Sequence, residues 1–156
     1  MHRGFPAKLH HEVPPWVQEG ALFHIRVRLD RTNSQTLLTD PQLATRLLES
    51  ARFYHKNQRW QITVFLLMPD HLHALLAFGR DQRIQQVVGE WKHYHRHTNA
   101  VVWQEGFFDH RLRNDEGGEQ LDAKLEYIRR NPVAKGLCAN THDWPWIIDP
   151  SRNHFA

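Results

Sequence analysis

An α+β fold of the ferredoxin-like, split βαβ type is predicted for this 156-residue chain. Its sheet carries helices on one face, and an extra helix follows near the C-terminus. Three observations predict it. Stretches of period-2 and period-3.6 hydrophobicity alternate in the order strand–helix–strand–strand–helix–strand. Pro69-Asp70 interrupts one long apolar run and turns it into two adjacent strands. A further helical pattern then follows the last strand. The length suits one domain, 1–156, with an irregular lead-in over 1–20 and a C-terminal strap over 138–156.

The elements read as follows. Pro6, Pro14, Pro15 and Gly20 leave the first twenty residues without a period. Ala21 to Leu29 alternates, with Phe23, Ile25, Val27 and Leu29 on one face and His24, Arg26 and Arg28 on a basic outer face. Asp40-Pro41 opens a helix, Asp40 as N-cap and Pro41 at the first helical position, running to about Tyr54. Trp60 to Leu67 and His71 to Phe78 form the hairpin strands. From Asp81 to about His97, Ile84, Val87, Val88, Trp91 and Tyr94/His95 mark an amphipathic helix. Val101 to Leu112 is a fourth strand or a pair of short ones broken at Gly106. Gly117-Gly118 is a hinge-like pair before a helix from Glu119 to Arg130. Pro132 ends that helix, because the residue before proline is pushed out of helical geometry. Trp144-Pro145-Trp146 forms an apolar strap over the core.

Composition narrows the function. No apolar stretch approaches the roughly 20 residues that span a bilayer, and Met1 to Pro6 lacks a signal peptide's apolar core. A single cysteine, Cys138, excludes an internal disulfide and a multi-cysteine zinc cluster. The chain therefore reads as cytoplasmic. Its formal charge is only +3, but 13 histidines add latent positive charge and arginine far outnumbers lysine. Arginine is the better partner for phosphates and stacked bases. Six Trp and eight Phe offer stacking surface, although most are expected in the core. This tilts weakly towards nucleic acid.

Met68 to Leu76 carries the sharpest chemistry. Residues i and i+2 of a strand share a face, so His71 and His73 can aim at one metal ion while Leu72 packs beneath them. His93-Tyr94-His95-Arg96-His97 holds the same spacing twice, but on a helix only His93 and His97 share a face. That cluster reads as a basic surface. On the last helix, Tyr127 and Asn131 lie four apart and so on one side. A tyrosine can be a covalent nucleophile. Two imidazoles and one carboxamide oxygen make an open ligand set suited to Mn²⁺ or Mg²⁺. The plainer alternative makes Tyr127 an ordinary buried helix residue and Asn131 a helix C-cap.

Three strings together carry a family resemblance. Phe65 to Leu76, with His71-Leu72-His73, resembles the His-hydrophobic-His motif of the IS200-type single-tyrosine transposases. Trp103 to Arg113 and Tyr127 to Leu137 resemble the subgroup associated with repetitive extragenic palindromes (REP), as does Phe23 to Arg28. The likeness runs from about Gly20 to Trp146. It implies that Tyr127 attacks single-stranded DNA, leaving a 5′-phosphotyrosine and a free 3′-OH, while His71, His73 and Asn131 hold Mg²⁺ or Mn²⁺. It implies short REP-like DNA hairpins as partners and a nucleoid-associated protein. Arg26, Arg28, Lys92, Arg96, Arg111, Arg113, Arg129 and Arg130 are then candidates for DNA contact. A homodimer, with the Gly117-Gly118 hinge carrying the tyrosine helix to its partner's histidines, stays open. So does a domesticated hairpin-binding protein that does not cut.

Overall fold

The computed structural model describes residues 17–112 and 118–152. Five antiparallel strands form one sheet in the order β4-β1-β3-β2-β5. They are β1 (Val17–Arg28), β2 (Gln61–Leu67), β3 (His71–Gly79), β4 (Phe108–Arg111) and β5 (Ile147–Ile148). The helices are α1 (Pro41–Lys56), α2 (Ile84–Asn99) and α3 (Glu119–Ala134). The inner order β4-β1-β3-β2, with α1 and α2 as crossovers, is the split βαβ arrangement that the periodicities predict.

Burial explains the apolar strands. α1 and α2 cover one face, where Leu47, Ala51, Val88 and Trp91 pack on Ile25, Val27, Leu72, Ala74 and Leu76. α3 covers the other, with Leu125 and Ile128 against Val64, Leu66, Met68 and Leu75. A central strand buried on both faces has no need to alternate, so β3 reads as a nearly continuous apolar run. α1 starts as expected: the Asp40 carboxylate accepts from the Leu43 amide at 3.2 Å, and Pro41 sits at its first turn.

Three features differ from the sequence reading. β1 begins at Val17, inside the expected lead-in. His24 is not on an exposed basic face but buried, because the second face of β1 is also covered. The 101–112 segment, by contrast, is the expected pair of short pieces broken at Gly106: Trp103 bridges Leu29, and Phe108–Arg111 is a ladder strand. Finally, α3 runs through Pro132 to Ala134. Proline removes one intrahelical bond in the last turn, while Leu125, Ile128, Asn131 and Pro132 are held by burial. Gly136 ends the helix instead. At φ 74° it lets its own amide reach Val133 O and the Leu137 amide reach Pro132 O, both at 2.9 Å.

The tail is more than a strap. Ile147 and Ile148 add β5 to the sheet edge beside β2, and the Trp144 indole donates to Leu67 O at 3.0 Å. Arg129 of α3 then binds the fully buried Asp149 with both ends of its guanidinium, at 2.8 and 3.0 Å. Arg152 reaches the same carboxylate at 3.2 Å. Burial alone would raise the Asp149 pKa, but hydrogen bonds from Arg129 and Ser151 and the two arginine charges outweigh it and hold the carboxyl below its usual range. Among the described residues no helix is long and apolar enough to cross a membrane.

Two stability predictions follow from these buried groups. Arg129→Ala leaves a buried carboxylate short of its bidentate partner and should cost about 3 kcal/mol in urea denaturation at pH 7. That contribution needs the ionised carboxylate. It is complete above the unfolded pKa of roughly 4 and fades as pH falls towards the lower folded value, so the two proteins should converge in acid. His95, fully buried, has Ser50 Oγ 2.6 Å from Nε2 and the Asn99 carboxamide nitrogen 2.8 Å from Nδ1. Burial lowers its pKa to about 4. The unfolded chain gains this proton below about pH 6.5 and the folded chain does not, so stability drops between pH 6.5 and 4. His95→Gln should remove roughly 2 kcal/mol of the loss seen between pH 7 and 5; an unchanged slope would contradict a neutral His95.

Candidate active site

The site forms where β3 enters the sheet, on the face covered by α3. The antiparallel register places Arg28 opposite His71 and Arg26 opposite His73 on β1. Opposed residues share a face, so both arginines flank the histidine pair. The His71 and His73 rings meet edge to face, 4.9 Å between centroids. Strand geometry thus brings the two together as the spacing predicts.

Each imidazole is held through Nδ1. His71 Nδ1 lies 2.7 Å from Asp70 Oδ1, and Arg31 braces that carboxylate at 3.2 Å. His73 Nδ1 lies 2.9 Å from His24 Nε2, and the two rings are near coplanar, at 24° with centroids 5.1 Å apart. On both histidines Nε2 is left without a hydrogen bond among the described residues. His73 and His24 are only 2 % and 4 % exposed. Burial first, then the charges of His71, His24, Arg26 and Arg28, lowers the His73 pKa to about 3. Burial, then Lys124, Arg26 and His110, lowers that of His24 to about 4. His71 is also lowered, by burial, with Asp70 opposing. All three rings are therefore neutral at pH 7, the form in which imidazole has a lone pair for a metal ion.

α3 supplies the rest. The Tyr127 ring stands edge-on to His73, 6.0 Å between centroids, yet 56 % of the residue is exposed. It is not the ordinary buried helix residue of the plainer reading. Lys124, one turn earlier, places its ammonium 5.7 Å from the Tyr127 ring centre. Asn131 is not the C-cap, which is Lys135. It is 5 % exposed, and its carboxamide has no hydrogen-bond partner among the described residues. A buried amide without a partner is costly and suits a ligand oxygen. Among the described residues no group of three or more His, Cys, Asp or Glu could hold a metal ion. Were His71 and His73 to hold a metal ion, a further protein ligand would be of another type, and the Asn131 oxygen suits that donor chemistry.

The remaining candidates separate by position. Arg26 lies over the Phe108 ring at 4.7 Å, beside the site, and Arg28 is exposed there. Arg111 pairs with Phe23, whose face belongs to α1 and α2, and so points away. Lys92 and Arg96 sit on α2, across the sheet from α3; the Lys92 ammonium donates to Gln104 O and Gly106 O at 3.1 and 2.6 Å. Arg129 is committed to Asp149, and exposed Arg130 lies 3.6 Å from Glu126. Arg113 and Gly117 lie outside the described residues. Of the basic cluster on α2, His93 and His97 are exposed with rings 4.2 Å apart, whereas His95 is interior.

Sequence reasoning missed His24, Asp70 and Lys124. His24 shares its period-2 face with Arg26 and Arg28, but only the β1–β3 register shows that this face meets His73. Asp70 read as a turn residue, and Lys124 carried a helical i, i+3 relation to Tyr127 that was available from the spacing.

Known proteins resemble this chain in sequence and fold. The chain is 25% identical over 133 residues to the REP-associated tyrosine transposase of Escherichia coli (strain K12), covering 82% of this chain and 76% of that protein. Its fold matches a solved REP-associated tyrosine transposase bound to a REP hairpin with a TM-score of 0.69. That match covers 87% of this chain and 81% of the other, at 23% sequence identity. Residues 22–131, from the second half of β1 to Asn131, match the family described as "Transposase IS200 like", and the chain belongs to that family.

Proposed function

We propose that this protein is a metal-dependent, single-tyrosine DNA transposase and endonuclease that cuts and rejoins single-stranded DNA at REP-like hairpins. One observation carries the reading: an exposed Tyr127 stands against His73 on the helix that also brings the buried Asn131. The hairpin substrate is supported by the likeness to a transposase solved with a REP hairpin.

The chain's own groups divide the work. Tyr127 is open to an incoming strand, and its phenol oxygen attacks the scissile phosphorus as the phenol proton is released. The P–O3′ bond breaks, the 3′ oxygen takes up a proton, and the 5′ phosphate stays on Tyr127. Return attack by a 3′-OH forms a phosphodiester and frees the phenol, with no external energy because the ester is conserved. Arg26 and Arg28, beside the histidines, and Lys124, beside Tyr127, neutralise phosphate charge around the reacting group. His71, His73 and Asn131 would hold a divalent ion, Mg²⁺ or Mn²⁺, open to further ligands. Bound there, the ion supplies Lewis-acid polarisation of a non-bridging phosphate oxygen.

Labelled hairpin oligonucleotides taken from DNA flanking the coding region test this on denaturing protein gels. Tyr127→Phe should abolish the covalent DNA adduct while hairpin affinity stays within about threefold; persistent cleavage by that variant would reject the assignment. The adduct should also require Mg²⁺ or Mn²⁺, vanish with a chelator, and fall at least about 100-fold in His71→Ala. Hairpin binding with no adduct under any metal, on either strand, would instead identify a hairpin-binding protein without cleavage.

A further inference from the structure

We propose that His24 is a positioning residue for His73: its Nε2 accepts a hydrogen bond from the His73 Nδ1–H and so fixes the tautomer that leaves His73 Nε2 as a free lone pair. The proposal rests on the metal-dependent reading for its purpose, but not for its geometry.

The argument begins with the number of donors available. A neutral imidazole has one N–H and one lone pair. The 2.9 Å contact between His24 Nε2 and His73 Nδ1 needs one nitrogen to donate and the other to accept. If His73 donates, its Nε2 keeps the lone pair. If His24 donates, His73 carries its proton on Nε2 and is blocked as a ligand through that atom. The site chooses between these two states, and the neighbouring ligand shows which is useful: His71 also spends Nδ1 on a protein partner, Asp70. Both rings then present Nε2. The usual partner of a ligating histidine is a carboxylate, carbonyl or water; here one ring has the carboxylate and the other has a second imidazole.

The position of His24 makes this more than a chance contact. It sits on β1 opposite Leu75 and opposite His110 on β4, and its ring meets Phe108 edge to face at 5.7 Å. Strands on both sides and an aromatic ring hold it in place, so His73 cannot turn without losing the hydrogen bond. Two substitutions separate these contributions. His24→Phe keeps a ring of similar shape but has no acceptor. His24→Gln loses the ring and keeps an acceptor oxygen.

Two measurements on the full chain decide it. Long-range ¹H–¹⁵N NMR of the histidine rings, without metal, should show His73 protonated at Nδ1 in the unaltered protein and losing that preference in His24→Phe. Calorimetric titration with Mn²⁺ should show an affinity 10- to 100-fold weaker in His24→Phe, largely restored in His24→Gln, with melting temperatures confirming that both variants fold. Protonation of His73 at Nε2 in the unaltered protein overturns the proposal. So does a His24→Phe variant with unchanged tautomer and unchanged Mn²⁺ affinity. If the tautomer shifts as expected but no form binds Mn²⁺, the positioning role of His24 stands and the metal-dependent reading fails.

Discussion

Burial of β3 on both faces is the constraint on which the other features of the site depend. The strand is hydrogen-bonded to β1 on one side and β2 on the other, with α1 and α2 below and α3 above. A polar side chain placed on such a strand must find partners inside the protein. His73 is that side chain. Its surroundings remove water from one edge of the ring and leave His24 as its hydrogen-bond partner. His71, at the strand's open end, is instead reached by Asp70 from the turn. The same burial that makes the pair neutral also sets which protein group meets each Nδ1.

A tyrosine on a helix is useful to that pair only if the helix stays registered against the strand. α3 is fixed at two levels. Its apolar stripe, Leu125 and Ile128, packs into the second core with Leu75 and Val64. Its polar flank is tied to the C-terminal segment through Arg129 and Asp149. β5, joined to the edge of β2, anchors that segment to the sheet. The helix continues through Pro132 because Gly136, two residues past its last helical residue, takes the left-handed turn that closes it. Asn131 therefore lies within a complete turn rather than at a frayed end.

Charge is distributed unevenly around the sheet. Arg26 and Arg28 stand on the histidine face and Lys124 beside the tyrosine. Other cations are engaged in holding the fold: Lys92 closes the 104–106 turn, and Arg129 and Arg152 neutralise Asp149. The count of basic residues thus overstates the surface available to a nucleic acid, and position decides which of them can meet one.

The order of elements, the α1 cap at Asp40, the hairpin at Pro69-Asp70 and the shared face of His71 and His73 were legible in the sequence, because each depends on near neighbours: period, capping chemistry, or the two-residue repeat of a strand. So was the i, i+4 relation of Tyr127 to Asn131. Long-range pairing decided the rest. That His24 would lie in the interior, that Arg111 would face the wrong side, and that Arg129 would bind a carboxylate 20 residues away all depend on strand register and on which helix covers which face. The strand addition by Ile147 and Ile148 is two residues long, too short for any period to mark. Local chemistry named the candidate reactive groups of this protein; packing between distant segments chose the partners that surround them.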